Sequence, residues 1–563
     1  MPMAFLSKVR LLLVAHWPVL LLIAIAFLTY APSLGNGFVT WDDELLITLN
    51  PVAHGLSIHN IRMAFTMFDP ELYIPLTFLS FQLNFALHGL QPLGYHLGNL
   101  LLHIGSVLLV YRIVRQLTGR QIAALATALF FAVHPLHAEA VAWASARKDV
   151  LAAFFALGAV TLLLDWRQTR APKSYAASLL SFLLALLAKV HVLVLPLLLP
   201  CLAIAQGRRL GRRTLLTTIP FLTLSVTFGI VALVGKSGRN TGILWEKMLI
   251  GMKAAVFTLE KLLVPTGLSV LYPYTKPISL FTPDLLVSAL LVLTITLICL
   301  LPWVFSSRSP IPYSRIPLLL WFSFLLLLAP SFTNVAKGHD ALRDVYFFSD
   351  RYAYLASLIP LGIAGWCIDL LWQRRRMLGI GALSAVTIVF ALLAWRQSLT
   401  WRDTESLFRS VLRAYPNSHV ALGNVGAILY QRGERQKALE YYQASLKVRP
   451  NSAAYFNLGV AAEESGLTAR AEEFYRKAVE QRPWDAQALT RLGLLMLKRG
   501  ATAEAVDLLL RAIDAKATPV EAFTALGRAY AKLGQMDKSH AAYEEALRID
   551  PENAEAAGVL GVR

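Results

Sequence analysis

Three acids in a row, Asp42, Asp43 and Glu44, lie within Phe38-Val-Thr-Trp-Asp-Asp-Glu-Leu-Leu-Ile-Thr-Leu-Asn50. They follow directly on an apolar run from Leu11 to Ala31, and carboxylates so close to lipid are costly unless they face water or a cavity. One reading is a solvated loop whose acids cap helices. The other is a general base at the membrane surface, a carboxylate able to take the proton of an acceptor hydroxyl. A second cluster is Phe131-Ala-Val-His-Pro-Leu-His-Ala-Glu-Ala-Val-Ala-Trp-Ala-Ser-Ala-Arg-Lys-Asp149. The three-residue spacing of His134 and His137, with Glu139 beyond, suggests metal ligation. Pro135 opposes a regular helix that would put both imidazoles on one face, and there is no HExxH pattern, so polar contact with a substrate is the better chemical reading; a structural turn is the other. A third group is cationic.

That group comprises Arg147, Lys148, Lys189, Lys236, Arg239, Arg343 and Arg351. Its meaning depends on which side of a membrane it occupies. The 563 residues are 56% hydrophobic and 16% charged, with a mean hydropathy of +0.54, far more apolar than a soluble domain needs. Residues 1–395 carry 30 Lys+Arg and 15 Asp+Glu, whereas 396–563 carry 23 and 20. The positive excess thus sits between apolar runs, as in a polytopic membrane protein, and not on the basic face or arm of a nucleic-acid binder. Cys201, Cys299 and Cys367 fall inside apolar runs and form no disulfide framework or zinc motif.

Runs near the 20-residue span length predict eleven spans, at 11–31, 95–114, 122–138, 149–165, 174–188, 190–206, 214–234, 284–304, 316–332, 352–371 and 377–395. The first is read as an uncleaved span, because the apolar run is too long for a signal peptide and Tyr30-Ala-Pro-Ser continues it without a small-x-small site. Alternate short loops carry Arg112/Arg115/Arg120, Arg167/Arg170/Lys173, Arg208/Arg209/Arg212/Arg213, Arg308/Arg315 and Arg374/Arg375/Arg376, which places these loops and the N-terminus in the cytoplasm. The acidic loop in 32–94, the loop 235–283 with its charged amphipathic stretch 246–265, and everything after Trp395 then share the far side. So do the seven cations above, on a face usually poor in them. An anionic ligand such as a lipid phosphate explains such a set; local ion pairs, Arg351 with Asp350 or Arg147 with Asp149, are the alternative.

The tail repeats. Gly426, Gly459, Gly493 and Gly527 are 33, 34 and 34 residues apart, and Gly433, Gly466, Gly500 and Gly534 keep that spacing. Tyr442, Tyr475, Leu509 and Tyr543 follow suit, with prolines at 416, 450, 483 and 551. This is the tetratricopeptide pattern of paired helices. It predicts an α-solenoid over 417–563, in units 417–450, 451–483, 484–517 and 518–551, after a connecting helix in 396–416. Such stacks bind peptides or proteins.

The ordered set Trp41-Asp-Asp, Pro75-Leu-Thr-Phe-Leu-Ser, Tyr95-His-Leu-Gly-Asn-Leu-Leu-Leu-His103, His134-Pro-Leu-His-Ala-Glu-Ala-Val-Ala-Trp, Ala146-Arg-Lys-Asp-Val-Leu, Tyr272-Pro and Ser349-Asp-Arg-Tyr-Ala-Tyr-Leu, with repeats behind, resembles a known family. It is similar to the transmembrane and tetratricopeptide repeat-containing proteins, whose eukaryotic members are protein O-mannosyltransferases and which have bacterial relatives. The resemblance implies an all-α protein: a C-type glycosyltransferase fold in 1–395 that uses polyprenyl-phosphate sugars, followed by the repeats. It also implies that Asp42 and Asp43 are catalytic, with Asp42 the base and Asp43 positioning substrate or a divalent ion if one is used. Arg147, Lys148, Lys189 and Arg351 are then candidates for the donor phosphate, and His134, His137, Glu139 and Asp350 for sugar or acceptor contacts. The implied reaction is a single inverting displacement onto a Ser or Thr hydroxyl of a polypeptide presented by the repeats, at the periplasmic face of a bacterial inner membrane. Two other readings compete: a non-enzymatic membrane-anchored repeat scaffold, which one span would serve as well as eleven, and a lipid-linked sugar transporter, for which paired half-helices broken by Gly or Pro are missing.

Overall fold

The computed structural model describes residues 2–68, 72–207, 211–235, 244–305, 312–332, 345–515 and 520–561, with side chains from His16 onward. Of the residues invoked above, Arg208, Arg209, Lys236, Arg239, Arg308 and Arg343 lie outside these. The chain divides into two compact units, Met1–Ser410 and Val411–Arg563, and the division falls inside the helix Thr404–Ala414.

The first unit is helical, with one two-residue antiparallel pairing of Pro273–Tyr274 and Val345–Tyr346 among its described residues. Six helices there are long and apolar enough to cross a membrane: His16–Gly35, Pro92–Thr118, Ala144–Thr169, Arg212–Gly235, Pro283–Phe305 and Arg376–Trp401. Two more segments qualify as bent pairs. Gln121–Val133 and Pro135–Ala142 meet at 53°, and Asp350–Ala356 and Leu358–Arg374 at 56°. Pro172–Ala188, Val190–Ala205 and Ile316–Phe332 are apolar but shorter. Each of the eleven expected runs therefore falls on an apolar helix, though the elements differ in kind. The break at His134 has a local cause, since Pro135 has no N–H to continue the ladder and its ring disfavours helical backbone just before it. The stretch 246–265 forms the helix Leu244–Leu263, with Leu249, Ile250, Ala254 and Ala255 buried and Leu244 and Leu263 exposed.

Small residues set the closest helix approach. A Cβ on Gly365 would come 2.8 Å from the carbonyl oxygen of Ala123, so Gly365 lets the helix Leu358–Arg374 lie directly on the backbone of Gln121–Val133. Close backbone approach of this kind is how helices pack where lipid removes the hydrophobic driving force.

The second unit is four helical hairpins: His419–Gln431 with Arg435–Val448, Ser452–Glu464 with Thr468–Gln481, Ala486–Arg499 with Thr502–Asp514, and Val520–Lys532 with Met536–Ile549. Ala554–Leu560 follows them. The two glycine series have separate jobs. Gly433, Gly466, Gly500 and Gly534 end each first helix at φ between +70° and +91°, a conformation glycine adopts without a Cβ clash. Gly426, Gly459, Gly493 and Gly527 instead make room for the partner helix: a Cβ on Gly426 would come 2.7 Å from the Tyr442 ring.

Candidate functional site

The acidic loop leaves the first helix through the 3-10 turn Ala31–Gly35, and its two aspartates differ in burial. Asp43 is fully buried. Its Oδ2 accepts the Val39 backbone N–H at 2.9 Å and its Oδ1 accepts that of Ser145, also at 2.9 Å. The carboxylate thus ties the loop to the residues just ahead of the helix Arg147–Thr169. Burial pushes its pKa from 3.8 up to about 6, the hydrogen bonds from Ser145 and Val39 and the charge of Lys148 limiting the rise. Asp42 keeps 38% of its side-chain surface exposed, and its Oδ2 lies 3.2 Å from Lys148 Nζ. Of the two, Asp42 alone could meet a substrate hydroxyl. Asp43, expected to position substrate or a divalent ion, acts here as a tether: each of its oxygens is engaged by backbone and none of it reaches solvent. Among the described residues no three His, Cys, Asp or Glu side chains converge on a metal position.

The tether makes a prediction. A carboxyl with a folded pKa near 6 and an ordinary value of 3.8 holds more protons in the folded chain than in the unfolded one between those values. Stability from this group therefore rises as pH falls from about 6 toward 4, by up to about 3 kcal/mol for a shift of this size. Asp43→Asn should remove that dependence. It should also cost about 1–3 kcal/mol, because one backbone N–H would then face an amide donor. Melting temperatures of both proteins from pH 4.5 to 7.5 check this; parallel curves would show that Asp43 does not titrate in this range.

Arg147, Lys148 and Asp149 open the helix Arg147–Thr169 and each goes to a different place. Arg147 turns inward: its guanidinium donates to Asn84 Oδ1 at 2.9 Å and to the Tyr95 carbonyl at 2.7 Å, and its Nε donates to Asn99 Oδ1. Gly98 lies against the guanidinium, where a Cβ would come 2.9 Å from Cζ. At 3% exposure and with its donors engaged, Arg147, a candidate for the donor phosphate, braces neighbouring helices here. Lys148 joins Asp42. Asp149 pairs with Lys189 at 2.6 Å, in the break between the helix Pro172–Ala188 and the turn that begins at Val190. Arg351 pairs with Glu139, which also accepts the Arg351 backbone N–H at 3.1 Å. Neither local pairing considered from sequence forms: Asp350 accepts the Tyr272 hydroxyl at 2.6 Å instead.

Asp149, Lys189 and Arg351 line a cavity whose other walls include Ala152, Ala156 and Leu195. Arg351 also lies within electrostatic range of Asp42, so Asp42 and the cations form one continuous charged cluster. Asp149 Oδ2 and Arg351 Nε are buried there without a hydrogen-bond partner among the described residues. Buried polar atoms are nearly always satisfied, and such exceptions mark places where a ligand or water completes the set.

The histidine motif serves the scaffold. His134 and His137 are both 0% exposed. His134 Nε2 meets the Leu262 carbonyl at 3.1 Å, and its Nδ1 accepts the Leu136 N–H at 3.2 Å. His137 Nδ1 donates to the Phe131 carbonyl at 2.8 Å, and its Nε2 meets the Ser357 hydroxyl at 3.0 Å. Both rings are enclosed by protein partners. Glu139 and Asp350 are equally enclosed, at 2% and 1%, and act through Arg351 and Tyr272. All four of these residues, expected to contact sugar or acceptor, are held by protein partners in this arrangement.

Two tryptophans complete the site. Lys148 Nζ and the Arg351 guanidinium each lie 5.2 Å from the centre of the Trp143 ring, and Trp401 stacks on that ring at 5.2 Å and 18°. Trp143 stands inside the histidine motif and was open to notice. Trp401 carries no local signal, because its partner is 258 residues away.

Residues 73–234 match the family model described as dolichyl-phosphate-mannose-protein mannosyltransferase. Residues 426–486 and 520–553 match tetratricopeptide repeat models. Among curated proteins, the chain is 26% identical to the protein O-mannosyl-transferase Tmtc1 of Drosophila melanogaster over 77% of its own length and 62% of that protein. It is 26% identical to the protein O-mannosyl-transferase F38B6.6 of Caenorhabditis elegans, over 77% and 63%, and 24% identical to the human protein O-mannosyl-transferase TMTC3, over 73% and 48%. The chain thus spans about half to under two-thirds of the length of these relatives. An alignment over 77% of the chain is longer than either compact unit, so the likeness extends into both. The chain is thus similar to dolichyl-phosphate-mannose-protein mannosyltransferases over residues 73–234, to tetratricopeptide repeats over 426–486 and 520–553, and over most of its length to proteins that combine the two.

Proposed function

We propose that this protein is an integral membrane glycosyltransferase that moves a sugar, mannose by analogy with the named relatives, from a polyprenyl phosphate to a Ser or Thr hydroxyl. One observation carries the reading: a half-exposed aspartate next to Lys148 and within electrostatic range of Arg351, which itself lines a cavity walled in part by apolar side chains. Lys148 pairs with Asp42 at 3.2 Å and orients its carboxylate. The acceptor oxygen gives its proton to Asp42 and attacks the anomeric carbon. The bond from that carbon to the phosphate oxygen breaks on the opposite face, and the lipid phosphate leaves as an anion. Arg351, Lys148 and Lys189 stabilise the charge growing on it, which is where fixed cations have their largest effect. One displacement inverts the anomeric configuration and requires no sugar–enzyme bond.

The arginine-rich loops support a cytoplasmic N-terminus, with the Asp42 loop and the repeats on the far face, periplasmic in a bacterial inner membrane. There the repeats are suited to bring an acceptor polypeptide to the site. Cysteines introduced into the repeats should then react with a membrane-impermeant thiol reagent in intact cells; reaction only after permeabilisation rejects this orientation. The activity itself is tested with purified protein in lipid nanodiscs, radiolabelled mannosyl-phosphoryl polyprenol and a Ser/Thr-rich peptide. Label on the peptide that alkali releases by β-elimination is the expected result. No transfer and no retention of the labelled lipid would sink the reading.

A further inference from the structure

The loop that carries Asp42 is held from two sides, and the second side has no part in the chemistry proposed above. The chain leaving the helix Arg376–Ser398 runs through the turn Leu399–Trp401 into the helix Thr404–Ala414, and on the way it touches the loop at every level. Asn36 Nδ2 donates to the Ser398 carbonyl at 3.1 Å. The Gly37 N–H donates to the Arg402 carbonyl at 2.8 Å, and the Thr40 N–H to Thr404 Oγ1 at 2.9 Å. Trp41, next to Asp42, meets the fully buried Phe408 edge-on at 5.8 Å. Trp401 stacks on Trp143, the ring over which Lys148 and Arg351 both lie.

We propose that residues Ser398 to Phe408 form a positioning strap that sets the base and the cations of the site independently. Thr404 and Arg402 fix the backbone of the Asp42 loop. Trp401 fixes the plane of Trp143 and, through it, the two cations. Trp401 and Thr404 are positioning residues and touch no reacting atom. The physical reason is that a loop side chain is only as well placed as its backbone. A cation over an aromatic face is attracted to that face, so a tilted ring carries the cation with it.

The kinetic part of this inference rests on the transfer reading, so the test includes a readout that does not. Thr404→Val keeps the side-chain shape and removes the acceptor for the Thr40 N–H. It should lower kcat by about tenfold, since small misplacements of a reacting group are costly, while the donor KM stays within about twofold of wild type. Trp401→Ala should raise the donor KM by about tenfold through loss of cation placement, and Trp401→Phe should restore most of it. Hydrogen–deuterium exchange of residues 37–46 should speed up in Thr404→Val whether or not the protein is assayed for transfer. Unchanged exchange there overturns the strap. So do wild-type kcat in Thr404→Val or a failure of Trp401→Phe to rescue Trp401→Ala in an active, folded protein. If wild type transfers no sugar but Thr404→Val exchanges faster, the transfer reading fails and the strap stands. Should Trp401→Ala not fold, Trp401→Phe and Thr404→Val decide.

Discussion

Replacing Asp42 with asparagine should abolish sugar transfer, by at least about 10²-fold in single turnover, while the protein inserts and melts near wild type. The amide keeps the shape of the carboxylate but cannot accept the hydroxyl proton, and loss of a general base costs on this order. The small effect on stability follows from exposure. The pair with Lys148 is partly open to water, where such pairs contribute about 0–1 kcal/mol. Asp43→Asn is the internal comparison. It should destabilise by the buried route already described and reduce activity only as far as the loop loosens. A variant Asp42→Asn with wild-type turnover would exclude Asp42 as the base and move the role to Asp43 or sink the enzymatic reading.

The second large effect concerns Arg351. Its guanidinium and Glu139 form a nearly enclosed ion pair, with side-chain exposures of 14% and 2%. Arg351→Ala leaves Glu139 without its cation in a place water hardly reaches, and breaking such a pair from one side costs about 3–5 kcal/mol. Poor expression of that variant alone would therefore say nothing about donor binding. Arg351→Met combined with Glu139→Gln removes both charges and should recover most of the melting temperature, because a buried pair replaced as a unit is close to neutral. Donor affinity per folded molecule should stay low in the double variant, since nothing else supplies a planar cation at that wall of the cavity. Isothermal binding of a polyprenyl phosphate to the wild type and the double variant settles the point. Equal affinities would remove Arg351 from the donor site and leave it a brace, like Arg147.

Much of this protein is legible in one dimension, because the features involved are periodic or long. A 34-residue spacing of glycines and aromatics specifies helical hairpins, since each glycine answers a neighbour within its own unit, as Gly426 answers Tyr442. Apolar runs of span length specify helices, as the cost of an unpaired backbone group in lipid allows little else. The acidic loop stood out for the same local reason, three carboxylates beside an apolar run.

What tertiary structure alone decided was which charges remain available. From sequence, Arg351 was offered to Asp350 and Arg147 to Asp149, neighbours one and two residues apart. Residues at those separations on a helical turn point away from one another. The partners that form are Glu139, 212 residues from Arg351, and Asp42, 106 residues from Lys148. Arg147 and Lys148 are adjacent in sequence, yet one is spent on helix carbonyl and amide groups and the other reaches Asp42, because a step of one residue turns the side chain by about 100°. For the same reason Asp42 and Asp43, identical side by side, divide into an open carboxylate and a buried tether. Adjacency along the chain fixes which residues can share a function. The direction each side chain takes from the backbone fixes which of them do.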